Sequence, residues 1–196
     1  MAVPICDALD LCFLRDPFDT YRLEDVCEIL SGENINKADT TPDGTFPVYS
    51  GGVEPMGYTD KANRNGNMVI VSTQGSAGSV SYSWGPFWQS SFNAVLSPNT
   101  DMIRPRFLYY CVKRLEPLLI SRRLPSMVPS ISLDTLRGLQ IKVPRDLMEQ
   151  QRIADALDYF GVIVDSKDDG LLMLERLVRK RFEAVRESLL SFKPMA

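Results

Sequence analysis

Apolar and polar positions change their rhythm near residue 144. Before that point the apolar residues fall in runs of strand length, at 46–50, 68–72, 79–83, 93–96 and 139–143. Turn-forming clusters separate them: Gly51-Gly52, Asn65-Gly66, Gly75-Ser76-Ala77-Gly78 and Pro98-Asn99. Short apolar runs bounded by Gly, Asn and Pro predict strands, here a strongly bent sheet with loops at both ends. Phe107, Tyr110, Cys111, Val112 and Leu115 follow helical spacing and predict a helix over 105–119. Residues 21–30 read as an amphipathic turn or two closed by Ser31-Gly32. The first twenty residues are poorly patterned, with a short helix expected over 4–14, and no internal repeat is present.

After residue 144 the pattern becomes that of one long helix. Pro144 stops the preceding strand, Asp146 can cap the first backbone amides, and Glu149, three residues on, can reach back to the cap. From Ile153 a four-three spacing runs through Leu157, Phe160, Val164, Leu171, Leu174, Val178 and Val185, the pattern of a helix that needs a partner helix. Lys167, Arg181 and Ser188 interrupt one row of this seam and can fix its register, while Ala156, Ile163, Leu177 and Ala184 widen the stripe. Asp168-Asp169-Gly170 could fold the segment into a hairpin. A continuous helix is the better expectation, because one glycine costs only about 1 kcal/mol and no proline stands between Met148 and Lys193. Two units follow: a domain over 1–143 and a helix over 144–196.

The 196 residues, 44% of them hydrophobic, suffice for one domain with a real core and a helical extension. Cys6, Cys12, Cys27 and Cys111 form no CxxC pair and the chain has no histidine, so the familiar zinc spacings cannot be written. Reduced thiols point to a cytoplasmic chain. No apolar run approaches the roughly 20 residues of a membrane span, and Asp7 and Asp10 do not suit a secretory signal. Net charge is −3, but its distribution is uneven: residues 44–143 carry five acidic and ten basic side chains, and the two ends carry twenty acidic and twelve basic. A basic middle in an acidic chain is the footprint expected for a polyanion.

Catalysis finds little support. Without histidine there is no Ser-His-Asp or Cys-His arrangement, and no Asn-Pro-Pro-Tyr string of the adenine methyltransferase type occurs. Gly75-Ser76-Ala77-Gly78 is the best candidate for a phosphate cradle. It lacks the Walker lysine and lies between two strands, which favours a tight hairpin or kink. DNA binding is better supported. Long cations can neutralise phosphates, Gln74 and Asn65 carry the amide that pairs with adenine, and Arg64 or Arg122 the fork that fits guanine.

Two features together resemble a known family. The string Pro144-x4-Glu149-Gln150-x-x-Ile153-Ala154-x-x-Leu157-Asp158 is similar to the junction between recognition domain and spacer helix in specificity subunits of type I restriction-modification systems. The order of pieces from Tyr21 onward is similar as well: Val48-Tyr49-Ser50-Gly51-Gly52, Val69-Ile70-Val71-Ser72, Phe87-Trp88, Phe107-Leu108-Tyr109-Tyr110, then Pro129-Ser130-Ile131. The resemblance implies an α+β target recognition domain, with a bent mixed sheet and short helices, followed by a coiled-coil-forming helix.

The implied partners are double-stranded DNA, methyltransferase subunits and a restriction subunit, with S-adenosylmethionine bound only in the methyltransferase and no cofactor in this chain. Candidate DNA-contacting residues in the first loops are Ser50, Gly52, Tyr58, Lys61, Arg64 and Asn65. Gln74 and Ser76 mark a tight loop tip, and Lys113, Arg114, Arg122, Arg123, Ser126 and Ser130 precede the last strand. If the chain is whole, a second copy would cover the helical stripe. A protein-interaction adaptor whose basic loops bind an acidic partner is the alternative, and a small cofactor-dependent enzyme the weakest reading.

Overall fold

The computed structural model describes residues 18–124 and 127–165, with residues 160–165 as backbone alone. Strand β1 (Asp19–Arg22), one helical turn α1 (Leu23–Val26) and β2 (Cys27–Ser31) open the domain. After a 3-10 turn (Lys37–Asp39) come β3 (Phe46–Tyr49), β4 (Gly57–Thr59), β5 (Met68–Ser72), β6 (Val80–Ser83), β7 (Trp88–Gln89) and β8 (Asn93–Pro98). Helices α2 (Pro105–Arg114), α3 (Glu116–Ser121) and α4 (Leu133–Arg137) lead to β9 (Gln140–Val143) and then to α5 (Leu147–Asp165).

The strands form three sheets where one bent sheet was expected. A central antiparallel sheet has the order β2-β8-β5-β6; a mixed sheet has the order β4-β3-β7, with β3 and β7 parallel; β1 and β9 pair alone. The central sheet is covered on both faces, which explains the unbroken apolar run Val69-Ile70-Val71. Successive side chains point to opposite faces. Val69 and Val71 join Leu96, Phe107 and Leu108 in the main core, while Ile70 and Val95 meet Phe87 on the other side. Gln89, fully buried, stitches the two larger sheets together. Its Nε2 donates to the carbonyls of Leu30 and Asn93 at 2.8 and 2.9 Å, and its Oε1 accepts from Arg64 Nε at 2.6 Å.

Residues 21–30 contain the expected helical turn, at Leu23–Val26, but Cys27–Ser31 extends to complete the central sheet against β8 while Tyr21 and Arg22 pair with β9. The expected helix over 105–119 is two helices broken at Leu115, since Pro117 cannot donate to the continuing ladder and sits in the first turn of α3.

The entry into α5 is built from the residues of the junction string. Asp146 Oδ1 accepts from the Met148 amide at 2.9 Å, as a cap should, whereas Glu149 turns forward to Arg152 at 3.4 Å. Gln150 has no exposed surface. Its Oε1 accepts the Arg104 amide at 2.8 Å, at the start of α2, and its Nε2 donates to the carbonyls of Met102 and Pro144 at 2.9 and 2.8 Å. Beyond it, Ile153, Ala154 and Leu157 are buried in the main core. Ile153 and Leu157, expected in the seam toward a partner helix, are therefore already covered by their own domain. Phe160 and Val164 lie where only backbone is described. Leu171, Leu174, Val178, Val185 and the 168–170 segment lie outside the described residues, as do residues 1–17 with their expected short helix.

One turn on, Asp158 of α5 forms an ion pair with Arg106 of α2 and accepts from the Tyr110 hydroxyl at 2.6 Å. Burial and this hydrogen bond push the Tyr110 phenol up, which keeps it a donor. The Arg106 guanidinium lies 4.6 Å from the ring centres of both Tyr82 and Trp84 and 4.7 Å from that of Tyr109, a cation held over aromatic faces. Gln150→Leu fills the same space without hydrogen bonds and strands three buried or partly buried backbone groups. It is expected to lower unfolding free energy by about 2–4 kcal/mol, measured by denaturant titration. A decrease below about 0.5 kcal/mol would show that the amide does not hold the junction.

Candidate nucleic-acid interface

Four loops meet at one end of the domain, and two glycines make the meeting possible. Gly51 and Gly75 have φ of 69° and 72°, in the left-handed region. A Cβ at Gly51 would stand 2.8 Å from the Gln74 carbonyl oxygen, and one at Gly75 would stand 3.1 Å from that of Gly51. Backbones this close bond directly: the Ser76 amide donates to the Gly51 carbonyl at 2.9 Å. Asn93 Oδ1 accepts the Gly51 amide at 3.1 Å, and the Thr73 amide donates to the Phe92 carbonyl at 2.9 Å. On the other side the Ile131 amide donates to the Thr73 carbonyl and the Leu124 amide to that of Ser130, both at 2.9 Å.

This network brings Ser50, Gly52, Gln74, Ser76 and Ser130 to one end, with Gln74 and Ser76 exposed at the tip. Residues 73–79 connect antiparallel neighbours, so the Gly75–Gly78 segment is a hairpin loop and not a strand-to-helix cradle. Arg123 leans over it, its Nε donating to the Ala77 carbonyl at 2.6 Å, and Arg122 beside it is exposed.

Other candidates lie elsewhere or are occupied within the domain. Asn65 is exposed, but its neighbour Gly66 packs against Trp84 and the Asn67 amide bonds Ser83, which places this loop at the opposite end of the β5–β6 hairpin. Arg64 is turned inward: besides Gln89, its guanidinium donates to the carbonyls of Asn63 and Ser31, each at 2.7 Å. Lys113 pairs with Glu116 at 2.5 Å and donates to the Val80 carbonyl at 3.0 Å, while Glu116 accepts the Val80 amide at 2.9 Å, so together they close the start of edge strand β6. Arg114 is half-buried on α2. Lys61 is exposed, and Tyr58 is exposed on β4. Ser126 lies outside the described residues.

The loop end also carries groups that patterning did not single out. Ser91, Phe92 and Asn93 follow β7 there, and Leu124, Met127 and Val128 expose large apolar surface. Met127-Val128 between Pro125 and Pro129 was the available signal, since a polar loop rarely holds such a pair exposed. Burial pushes the Tyr49 and Tyr82 phenols up, so neither ionises near neutrality. Burial also pushes the Cys27 thiol up to about 12, which makes it unreactive. Among the described residues no group of His, Cys, Asp and Glu could hold a metal ion, and no helix is long and apolar enough to cross a membrane.

Comparison with known proteins gives this loop-bearing domain its family. The family described as type I restriction modification DNA specificity domain matches residues 15–172. The chain belongs to that family. A Mycoplasma pneumoniae protein named as the N-terminus of a type I specificity subunit is 31% identical over 147 residues, covering 72% of this chain and 76% of its own length. The specificity subunit of the M. pneumoniae type I restriction enzyme MpnII is 29% identical over 171 residues, 85% of this chain and 51% of that subunit. The crystal structure of the type I restriction-modification S subunit from M. genitalium superposes with a TM-score of 0.70 at 24% identity, over 86% of this chain and 46% of that one. The HsdS subunit from Thermoanaerobacter tengcongensis gives 0.63 at 22%, over 88% and 47%. The chain thus spans about half the length of these two solved subunits.

Within this specificity domain Gly51 combines a left-handed turn with a close approach to the Gln74 carbonyl at the loop end. Gly51→Ala is expected to cost at least about 1–2 kcal/mol from backbone conformation alone, with the close approach to the Gln74 carbonyl adding to it. Denaturant unfolding measures this, and an unchanged midpoint would contradict the packing of the two loops.

Proposed function

We propose that the chain is a DNA sequence-specificity subunit that reads one half of a bipartite target through its loop end. The observation that carries the reading is the convergence of Ser50, Gly52, Gln74, Ser76 and Ser130 with Arg122 and Arg123 at one end of a domain of the DNA specificity family. Polar loop groups supply contacts to base edges, and the two arginines supply phosphate contacts that position the domain without reading sequence. The long helix sets the distance to the second half-site and offers surface to methyltransferase and restriction subunits. Chemistry on the adenine, with S-adenosylmethionine, belongs to the methyltransferase subunit.

If the helix continues as the spacing of Leu171, Leu174, Val178 and Val185 predicts, its apolar stripe needs a cover. A second copy of this chain is the simplest, with the two recognition domains at opposite ends of an antiparallel helix pair. Such a dimer is two-fold symmetric and would read two inverted copies of one half-site. The exposed Leu124, Met127 and Val128 favour a second reading, in which the same loop end docks a protein partner.

Salt dependence separates the two. Arg122→Gln should weaken binding to duplexes of any sequence and flatten the slope of log K against log salt by about 0.9 for each phosphate that is no longer neutralised. Fluorescence anisotropy with a labelled duplex reads both. An unchanged slope would remove Arg122 from the interface, and absence of salt-dependent duplex binding by the wild-type chain would favour the protein-docking reading.

A further inference from the structure

A cleft of about 330 Å³ opens at the loop end between β7–β8, the 73–74 turn and the segment leading into α4. Thr73, Gln74, Ser91, Asn93 and Ser130 supply its polar wall, and Leu124, Ile131 and Leu133 its apolar one. Among the described residues no charged side chain lines it. Asn93 is 2% exposed, and its two amide atoms are in different situations. Oδ1 holds the Gly51 amide at 3.1 Å, which fixes the orientation of the side chain, while Nδ2 is buried with no hydrogen-bond partner. Next to it Ser91 Oγ donates to Asn34 Oδ1 at 2.5 Å, which leaves its lone pairs to accept. A buried, oriented and unsatisfied donor is costly unless something accepts from it.

We infer that this cleft receives the edge of a DNA base presenting a hydrogen-bond acceptor, with Asn93 as donor and Ser91 and Ser130 as flanking groups, and that it sets the base preference of the domain. The inference rests on the DNA-reading role proposed above. A phosphate would call for cations, and the described lining of the cleft has none. Neutral donors and acceptors in fixed directions discriminate by geometry, as base-edge contacts do, and the apolar wall suits the carbon face of a base or a thymine methyl group. Arg122 and Arg123 stand outside the cleft, where sequence-independent contacts belong.

The test is selection of bound duplexes from a randomised pool by the full chain, followed by sequencing, for wild type, Asn93→Asp and Ser91→Ala. Asn93→Asp keeps the acceptor for Gly51 and replaces the unpaired donor with an acceptor, so the preferred base at one position should change to one that offers a donor, the cytosine or adenine amino group. Ser91→Ala leaves Asn93 and its bond to Gly51 in place and should reduce discrimination at that position or its neighbour about tenfold, the preferred duplex losing more affinity than random duplex. Should Asn93→Asp fail to melt cooperatively, Ser91→Ala decides alone. A Ser91→Ala preference identical to that of wild type overturns the inference and leaves the DNA-reading role standing. Equal weakening on every sequence overturns it too, by making the cleft a backbone contact. A wild-type chain that selects no sequence at all overturns the parent reading and the inference together.

Discussion

One buried amide decides where the recognition domain ends and the helix begins. Gln150 satisfies the Met102 and Pro144 carbonyls and the Arg104 amide at once, so the start of α2, the end of β9 and the first turn of α5 share a single side chain. A neutral amide suits this place because it has two donors and an acceptor; a glutamate there would have to bury charge against carbonyl oxygens. Ile153, Ala154 and Leu157 then seat the helix in the core, and Asp158 holds it from the side through Arg106 and Tyr110. The direction in which α5 leaves the domain is thereby fixed by packing and hydrogen bonds, the condition a helix must meet if it is to set a distance between two half-sites.

Internal hydrogen bonding also changes the meaning of the basic middle segment. Arg64, Arg106 and Lys113 all have acceptors inside the domain, and each ties elements together: Arg64 to Gln89 and Ser31, Arg106 to Asp158, Lys113 to Val80 and Glu116. Net charge overstates the cations left for a polyanion. A domain with few uncommitted cations binds a duplex weakly on its own, and the proposed bipartite target, in which two tethered domains would bind together, would make up the affinity.

Sequence patterning located the strands whose apolar runs are bounded by glycine and the cap at Asp146, because those signals are local. Val69-Ile70-Val71 and Gly75–Gly78 read correctly as strand and hairpin. Pairing was not legible in the same way: the two-residue strand β7 exists because Gln89 bridges sheets that sequence order does not make neighbours, and residues 27–31 are extended because β8 offers an edge. The meeting of loops at the candidate site was half legible. Gln74, Ser76 and Ser130 meet as loop chemistry suggested, but Asn93 lies in an apolar run and looked like strand alone. Arg64 and Asn65, adjacent in sequence to a turn, were indistinguishable from loop-tip residues until the 63–67 segment was seen tied to Gln89 and Ser83. Spacing shows which residues lie in loops; it does not show which loops meet.

Adenine methylation in genomic DNA from cells that express this chain with methyltransferase subunits, read base by base and compared with cells lacking the chain, tests the proposed role most directly. The predicted result is methylation confined to one motif that appears only with this chain, two half-sites at a fixed spacing, inverted copies of each other if two copies of the chain assemble. Methylation that is the same with and without the chain, or that follows no motif, would contradict a sequence-reading role.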